Sequence, residues 1–385
     1  MNDRAARRLS DQERFDWLRL IRSENVGPRG FQALMFRYGD ARAALDALPS
    51  LARRVDQKRI LKIADAASIK AEMSAASEKG VRFVARCELE YPPMLARIDD
   101  APPMLAVQGH IECLQEPMIA IVGSRNASAG GLAFADRLAR AFGAAGYVVV
   151  SGLARGIYPR AHVAALSSGT VGVLAGGHAR PYPPEAVALM PKISQFGAIV
   201  SEMPFEWEPR GRDFPRRNRL VSGLAFATVI VEAARNSGSL ITARLAGDQN
   251  REVFAVPGSP LDPRAEGTND LLRSGAHICA HADDVLDALD PIRGANRAVG
   301  LAEGRQNMAW PFEAEPQFKR EAADEPTTQS YAHVLALLAP TPVPIDDVIR
   351  AAGFPAGALR AILLDLELAG KIEFQSGDRV GLKIG

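Results

Sequence analysis

The stretch Met118–Phe142, MIAIVGSRNASAGGLAFADRLARAF, decides the fold class. A short apolar run is followed by a polar turn at Gly123–Ser128 and then by apolar positions at helical spacing, which predicts a buried strand, a turn and an amphipathic helix. Ala129, Gly130 and Gly131 leave little side-chain bulk where the helix begins. Backbone N–H groups at such a start can approach an anion, and the helix dipole favours one. Arg125 lies in the turn itself, where an arginine either pairs with a carboxylate or serves a bound anion.

Two nucleotide-binding patterns are missing. The turn is not G-x-G-x-x-G, and the next strand, Tyr147–Val150, runs into Ser151–Gly152 where a dinucleotide site wants an acidic residue for the ribose. There is no G-x-x-x-x-G-K-[ST] either, which closes the P-loop route to nucleoside triphosphates. No cofactor is expected.

Outward from this stretch the alternation continues. Strands are expected at Val81–Ala85, Met104–Val107, Thr170–Leu174, Ala198–Glu202, Thr228–Glu232, Glu252–Val256 and His277–Cys279. Helices are expected near Ala161–Ser167, Glu185–Phe196, Arg217–Leu224 and Leu240–Ala246. Pro92, Pro93, Pro102 and Pro103 exclude helix from Tyr91–Pro103. Apolar strands separated by helices at this spacing give an α/β, doubly wound parallel sheet covered on both faces. Ligands on such sheets sit beyond the strand C-termini. Four turns converge there: Gly123-Ser124-Arg125, Ser151–Gly156 with Gly152 and Arg155, Phe214–Arg219, and Ala233–Ser239. Together they offer Arg125, Arg155, Arg216, Arg217 and Arg219 with small hydroxyls and backbone, a basic groove suited to a phosphodiester chain. Arg125 and Arg217 are both expected to project from strand-end turns and not from the core.

The chain has 385 residues and a formal net charge of only +1, so a nucleic-acid surface has to arise from local clustering. Its three cysteines, Cys87, Cys113 and Cys279, show no C-x-x-C pairing, which argues against a disulfide framework and a zinc site. The N-terminus has no apolar signal region and no apolar run reaches membrane-spanning length, so a cytoplasmic protein with no membrane contact is expected.

At the N-terminus, Asp11–Arg22 and the segment through Phe31, Leu34 and Phe36 read as helices broken at Asn25-Val-Gly-Pro-Arg-Gly30. A tight glycine hairpin of this kind either presents N–H groups to a nucleic-acid phosphate or is simply a turn. At the C-terminus, helices at Tyr331–Leu338, Asp346–Ala351 and Pro355–Leu368, then a ribbon of Lys371–Phe374 and Arg379–Lys383, resemble a winged helix. Its third helix sets Arg360 against Asp365 and Glu367, a poor balance for reading duplex DNA, so this module is expected to contact protein or nothing essential. The boundaries read as an N-terminal helical domain over 1–80, the α/β domain over 81–290, a linker over 291–327 and the winged-helix domain over 328–385.

These residues resemble the DprA/Smf family of DNA-processing proteins: GSR at 123–125, SGLARGI at 151–157, FPRRNRLVSGLA at 214–225, VEAARNSGSLITA at 231–243 and VFAVPGS at 253–259. The resemblance covers about Tyr91–Leu289. It implies an extended Rossmann-like domain, an N-terminal domain of the SAM or helix-hairpin-helix kind, and no catalytic reaction. It also implies binding of single-stranded DNA, a homodimer, and loading of RecA recombinase in natural transformation. The implied DNA contacts are Gly123, Ser124, Arg125, Gly152, Arg155, Phe214, Arg216, Arg217, Asn218, Arg219, Ser237, Gly238 and Ser239. Apolar residues of His277–Leu289 are the expected dimer surface, with core as their other use. One departure is Tyr158-Pro159-Arg160, where the family usually has an Asp after Ile157. Without that potential cap the following helix should survive with a weaker start. Asp248 and Asn250 are a milder departure.

A second function class stays open. Other Rossmann-like proteins pair a phosphate loop with a strand-end glutamate, so Glu232 would serve a nucleotide phosphoribohydrolase. His162 and His178 have no identifiable nucleophile partner and read as structural. Phe214 reads as core or as a platform for base stacking. Arg216, Arg217 and Arg219 form a solvated helix face or, given Pro215 and Asn218, a shaped loop–helix junction.

Overall fold

The computed structural model describes residues 7–56, 60–298, 326–375 and 378–383. They resolve into two compact units: one joins the N-terminal helices to the C-terminal module, and the other holds the α/β sheet.

The N-terminal helices are α1 (Asp11–Ile21), α2 (Pro28–Tyr38) and α3 (Ala41–Val55), with α4 (Ala66–Glu78) leading on to the sheet. Ser10 and Glu13 cap the start of α1 reciprocally, each side chain accepting the other's backbone N–H. Gly27 precedes α2 with no side-chain cap, and Pro28 takes the first helical position, where its missing N–H costs nothing.

The sheet unit follows as β1 (Val81–Ala85), α5 (Pro93–Ala96), β2 (Met104–Gly109), β3 (Met118–Val122), α6 (Ala129–Ala144), β4 (Val148–Gly152), α7 (Ile157–Ala165) and β5 (Thr170–Val173). It continues through α8 (Pro184–Phe196), β6 (Ala198–Ser201), α9 (Asp213–Leu224), β7 (Ala227–Ile230), α10 (Gly238–Asp248), β8 (Glu252–Ala255), α11 (Glu266–Arg273), β9 (His277–Ile278) and α12 (Asp283–Ala298). Among the described residues the strand order is β1-β2-β6-β5-β4-β3-β7-β8-β9. The pairs from β6 through β9 are parallel, and β2 runs antiparallel to β6. Successive strands move one way from β3 and then jump to its other side at β7. That reversal, between β3 and β7, is where doubly wound sheets open a crevice.

Alternation along the strands fills both faces. Ala120, Val122 and Val150 enter one core, while Ile119, Ile121 and Val149 enter the other. Each large aliphatic side chain so enclosed contributes roughly 1.5–3 kcal/mol.

Three expectations need correction. The proline-rich segment is not free of helix, because Pro93 opens the short α5, and proline is compatible with a first helical turn. Helix α9 begins at Asp213, so Phe214–Arg219 is helical and not a loop leading into a helix. Helix α12 runs to Ala298, past the boundary at 290. The rest of the predicted linker, from 299 to 325, lies outside the described residues.

The C-terminal module comprises α13 (Thr328–Ala336), β10 (Val343–Pro344), α14 (Ile345–Ala352), α15 (Ala356–Leu368), β11 (Ile372–Gln375) and β12 (Arg379–Leu382). Its strands form an antiparallel sheet in the order β10-β12-β11. Tyr331, Val334, Ile345, Leu359, Ile362 and Val380 make its core, and the arrangement is a winged helix.

Candidate nucleic-acid interface

The start of α6 is capped from within. Ser128 is the N-cap, and its Oγ accepts the Gly131 N–H at 2.9 Å. Glu232, just beyond β7, accepts the Ser128 N–H at 2.9 Å and the Ser128 hydroxyl at 2.5 Å. Its carboxylate lies so close to Gly131 that a Cβ there would approach it to 2.5 Å. The anion that the glycine-rich helix start invites is therefore the protein's own glutamate, set in the crevice between β3 and β7. This replaces the expectation of an open phosphate seat at Ala129–Gly131.

The groups that do face outward lie beside it. Gly156 adopts φ +76°, and a Cβ there would fall 2.2 Å from the Ser124 carbonyl oxygen. Only glycine allows that approach. It brings the 151–156 turn onto the 123–125 turn, with the Ile157 N–H donating to the Ser124 carbonyl at 3.2 Å. Arg125 is exposed, and its guanidinium lies 5.4 Å from the centroid of the Phe214 ring. Phe214 in turn meets the exposed ring of Tyr182 edge to face at 5.8 Å. A cation and two aromatic rings thus form one strip. Phe214 is half-buried, so it takes part in this strip without being core.

The other predicted arginines divide sharply. Arg217 is only 4% exposed, its Nη1 donates to the Val173 carbonyl at 2.7 Å, and its Nε has no partner among the described residues. Burial pushes its pKa down to about 10, with Tyr158 pulling the other way and Arg125 adding to the depression. Arg217 is thus in the core, contrary to the expectation from its place in the motif, because helical geometry turns it inward while Arg216 faces out. Gly152 makes room for it, since a Cβ there would sit 2.0 Å from the guanidinium.

Arg219 is likewise buried, bonded to Glu202 and to the Asp100 carbonyl at 2.7 Å. Arg216 also bonds Glu202, at 3.0 Å. Burial alone would raise the Glu202 acid, but the two arginines outweigh it and hold the pKa below the ordinary value. Asn218 is buried and donates to the Gly238 carbonyl at 3.3 Å. Arg155 is exposed and pairs with Glu185 at 2.9 Å across the mouth of a cleft of about 210 Å³ lined by Leu153, Pro159 and Leu189. Ser124 and Ser237 are half-buried and Gly238 is exposed, whereas Gly123 and Ser239 are buried.

Three families match the chain in order. One described as DprA-like N-terminal HHH domain matches residues 11–75, DNA recombination-mediator protein A matches 82–290, and DprA winged helix domain matches 318–378. The chain belongs to the DprA/Smf family. Protein Smf of Escherichia coli is 36% identical over 303 residues, covering 76% of this chain and 75% of its own, and DNA processing protein DprA of Bacillus subtilis is 38% identical over 220 residues, covering 56% and 74%. Among solved structures, DprA of Streptococcus pneumoniae superposes with a TM-score of 0.59 at 28% identity, over 73% of this chain and 98% of its own. DNA processing protein A of Helicobacter pylori, which has a single-stranded DNA binding mode, superposes with a TM-score of 0.51 at 28% identity, over 55% and 97%.

Within this DprA/Smf chain the family departure at 158–160 has a local explanation. Position 158 falls inside the first turn of α7 and not at its cap, so α7 forms with no side-chain cap at all. Tyr158 is buried beside Arg217 and the Gly123 backbone, and burial raises its hydroxyl pKa. Arg160 pairs with Asp136 on α6 at 3.1 Å. His162 bonds Thr170 at 2.7 Å and lies 3.2 Å from the Gly152 carbonyl, and burial lowers its pKa to about 4. His178 is similarly lowered to about 4. Both are neutral structural groups. Among the described residues no cluster could hold a metal ion, and no helix is long and apolar enough to cross a membrane.

Tyr182 carries little signal in the sequence, an aromatic ring among Pro181, Pro183 and Pro184 just before α8, and the structure leaves it exposed beside Phe214.

Proposed function

We propose that this protein is a non-catalytic single-stranded DNA-binding mediator that protects incoming strands and loads RecA recombinase in recombination and natural transformation. The observation that carries the reading is the strip of Arg125, Phe214 and Tyr182 at the C-terminal edge of the sheet. Arg125 has no carboxylate partner among the described residues, so its charge is available to a phosphate, and the two rings offer sequence-tolerant faces to bases. Gly123, Ser124, Arg155, Arg216, Ser237, Gly238 and Ser239 belong to the same edge. Gly152, Arg217, Asn218 and Arg219 support the edge from beneath. The single-stranded DNA binding mode of the Helicobacter pylori relative supports the choice of ligand.

We also propose a homodimer of the α/β unit and a cytoplasmic protein. Cys279, Val285 and Leu289 are buried in the core of this unit, so the dimer surface narrows to the open edge of β9, where Ile278 is 53% exposed. Both Glu232 oxygens accept bonds from Ser128, which supports a structural role for the residue that the hydrolase alternative would use.

Titration of the purified protein with labelled single-stranded and duplex DNA at several salt concentrations tests the reading. Log affinity for single strands should fall with log salt at a slope of roughly −0.7 per phosphate neutralised. A flat salt response, or duplex bound as tightly as single strand, would overturn it. Hydrolysis of nucleoside monophosphates that is lost in Glu232→Gln would put the enzyme in its place.

A further inference from the structure

The loop between β6 and α9, MPFEWEPRGR at 203–212, carries an aromatic ring and two arginines that the Arg125 strip does not use. Pro204, Pro209 and Gly211 keep it out of regular structure. Its backbone is tied to the loop that holds Tyr182: the Gly177 N–H donates to the Trp207 carbonyl at 2.9 Å, and the Ala179 N–H donates to the Phe205 carbonyl at 3.0 Å. A glycine allows this approach, since a Cβ on Gly177 would stand 2.1 Å from the Pro204 and Phe205 carbonyl oxygens. Asp213, buried at the start of α9, then fixes the ring. Its Oδ2 accepts the Trp207 indole N–H at 2.9 Å and the Arg210 N–H at 2.8 Å. The indole is thus anchored through the residue next to Phe214.

We propose that Trp207 is a second stacking platform for a base of a single strand, with Arg210 as its clamp, so that the binding path runs from the end of β3 to the end of β6. The indole N–H is already satisfied by Asp213, so what the half-buried ring offers to a ligand is its flat apolar face. The guanidinium of exposed Arg210 lies 5.2 Å from the Trp207 ring centroid, and it has no carboxylate partner among the described residues. A base can enter or extend such a pair, because indole, guanidinium and base all stack through flat faces. The pair repeats the arrangement of Arg125 against Phe214 at 5.4 Å. Strand order gives the path its direction. Arg125 follows β3 and Trp207 follows β6, with β4 and β5 between them, a separation of three strand spacings or roughly 15 Å. The charge of the loop is nearly balanced: Glu206 pairs with Arg180 at 3.2 Å, and Glu208 is exposed with no cation partner among the described residues. Stacking, more than phosphate neutralisation, is therefore what this loop contributes.

This inference rests on the sheet-edge reading, and its test separates the two. The chain has three tryptophans, so Trp17→Phe with Trp310→Phe leaves Trp207 as the sole emitter in the full-length protein. Its fluorescence is followed on adding oligodeoxythymidylates of increasing length, and affinity is read by anisotropy of labelled strands. We expect quenching by long strands but not by short ones that fill only the Arg125 end. Trp207→Ala should weaken long strands by roughly five-fold or more, the scale of one stacked base, and Trp207→Phe should keep most of that affinity. Salt gives a second readout. Arg125→Ala should flatten the slope of log affinity against log salt by roughly 0.7, whereas Trp207→Ala should leave the slope unchanged. An equal loss at every length in Trp207→Ala would assign the ring to holding the start of α9 and overturn the proposal. Unquenched emission, or wild-type affinity in Trp207→Ala while Arg125→Ala binds weakly, would overturn it alone. No loss in either variant would overturn the sheet-edge reading with it.

Discussion

Two helix starts in this molecule look alike in sequence and are filled by glutamates in the structure, but they are filled differently. At α6, Glu232 comes from the same unit and accepts both the N–H and the hydroxyl of Ser128. At α2, Glu367 comes from a distant module, lies where a Cβ on Gly30 would meet it at 2.9 Å, and leaves one enclosed oxygen without a donor. The first glutamate is a fixed part of the sheet's switch point. The second is a contact between modules with a built-in weakness. A glycine-rich helix start therefore reports only that there is room for a carboxylate, and the bonding of the group found there shows whether it caps the helix.

The sharpest way to break this contrast is to remove the satisfied glutamate. Glu232→Ala leaves the Ser128 N–H and hydroxyl without their acceptor and opens space at Gly131. Hydrogen bonds to a charged group contribute roughly 1.5–3 kcal/mol each, so thermal unfolding should shift down by several degrees. Glu367→Gln removes no such bond and should leave the melting temperature within about a degree or raise it. Equal losses in the two variants would abolish the distinction.

Next in size is the effect of the exposed arginine. Arg125→Ala should lower single-strand affinity by about five- to a hundred-fold, from about 1–3 kcal/mol for a charge-assisted phosphate contact, with no change in melting. Arg217→Ala should differ in kind: it acts on the packing beneath Gly152 and Val173, so a melting shift accompanies any loss of binding. Tyr182→Ala should cost about 1 kcal/mol, at the low end for a stacked base because the ring is half exposed, and Tyr182→Phe should restore it. These are read by fluorescence anisotropy alongside thermal melts. If Tyr182→Ala binds like the wild type, the strip ends at Phe214.

How far the sequence carries can be judged from these same residues. The strands were legible because unbroken apolar runs such as MIAIV admit one placement, and the order of motifs identified the edge where they converge. Arg125 was legible because a turn exposes its residues. Arg217 and Arg219 were not, since a charged run reads as solvated unless the helix phase is known, and α9 begins several residues before its apolar periodicity does. Gly152 could not be assigned to packing without Arg217 above it. Tyr182 reaches the site through a loop far from Arg125 in sequence, and Glu367 reaches Gly30 across more than three hundred residues. Contacts of that kind have no periodic signature. The acidity of α15 was visible, but its reason lay in a partner module that only the fold brings close.

The smallest effect, and the one that isolates the unsatisfied glutamate, is its response to pH. The packed Glu367 acid has a pKa of about 8 against an ordinary value of 4.5, because enclosure disfavours the charged form more than Arg29 and Lys383 favour it. Below about pH 4.5 the acid is protonated whether the modules are packed or apart, and the contact has its full strength. Between there and about 8 the separated form releases its proton while the packed form retains it, so separation binds fewer protons and becomes progressively favoured as pH rises. Above about 8 both forms are ionised and the loss levels off. Exchange of the Asn25–Gly30 amides, corrected for intrinsic rates, should therefore show weaker protection near pH 8 than near pH 6. In Glu367→Gln, which cannot titrate, protection should be the same at both. The Ser128 and Gly131 amides serve as the internal comparison, since the first donates to Glu232 and the second to the Ser128 hydroxyl oxygen, and their protection should not follow the Glu367 profile. A pH profile shared by both helix starts, or one that persists in the glutamine variant, would assign the effect to something other than the enclosed acid.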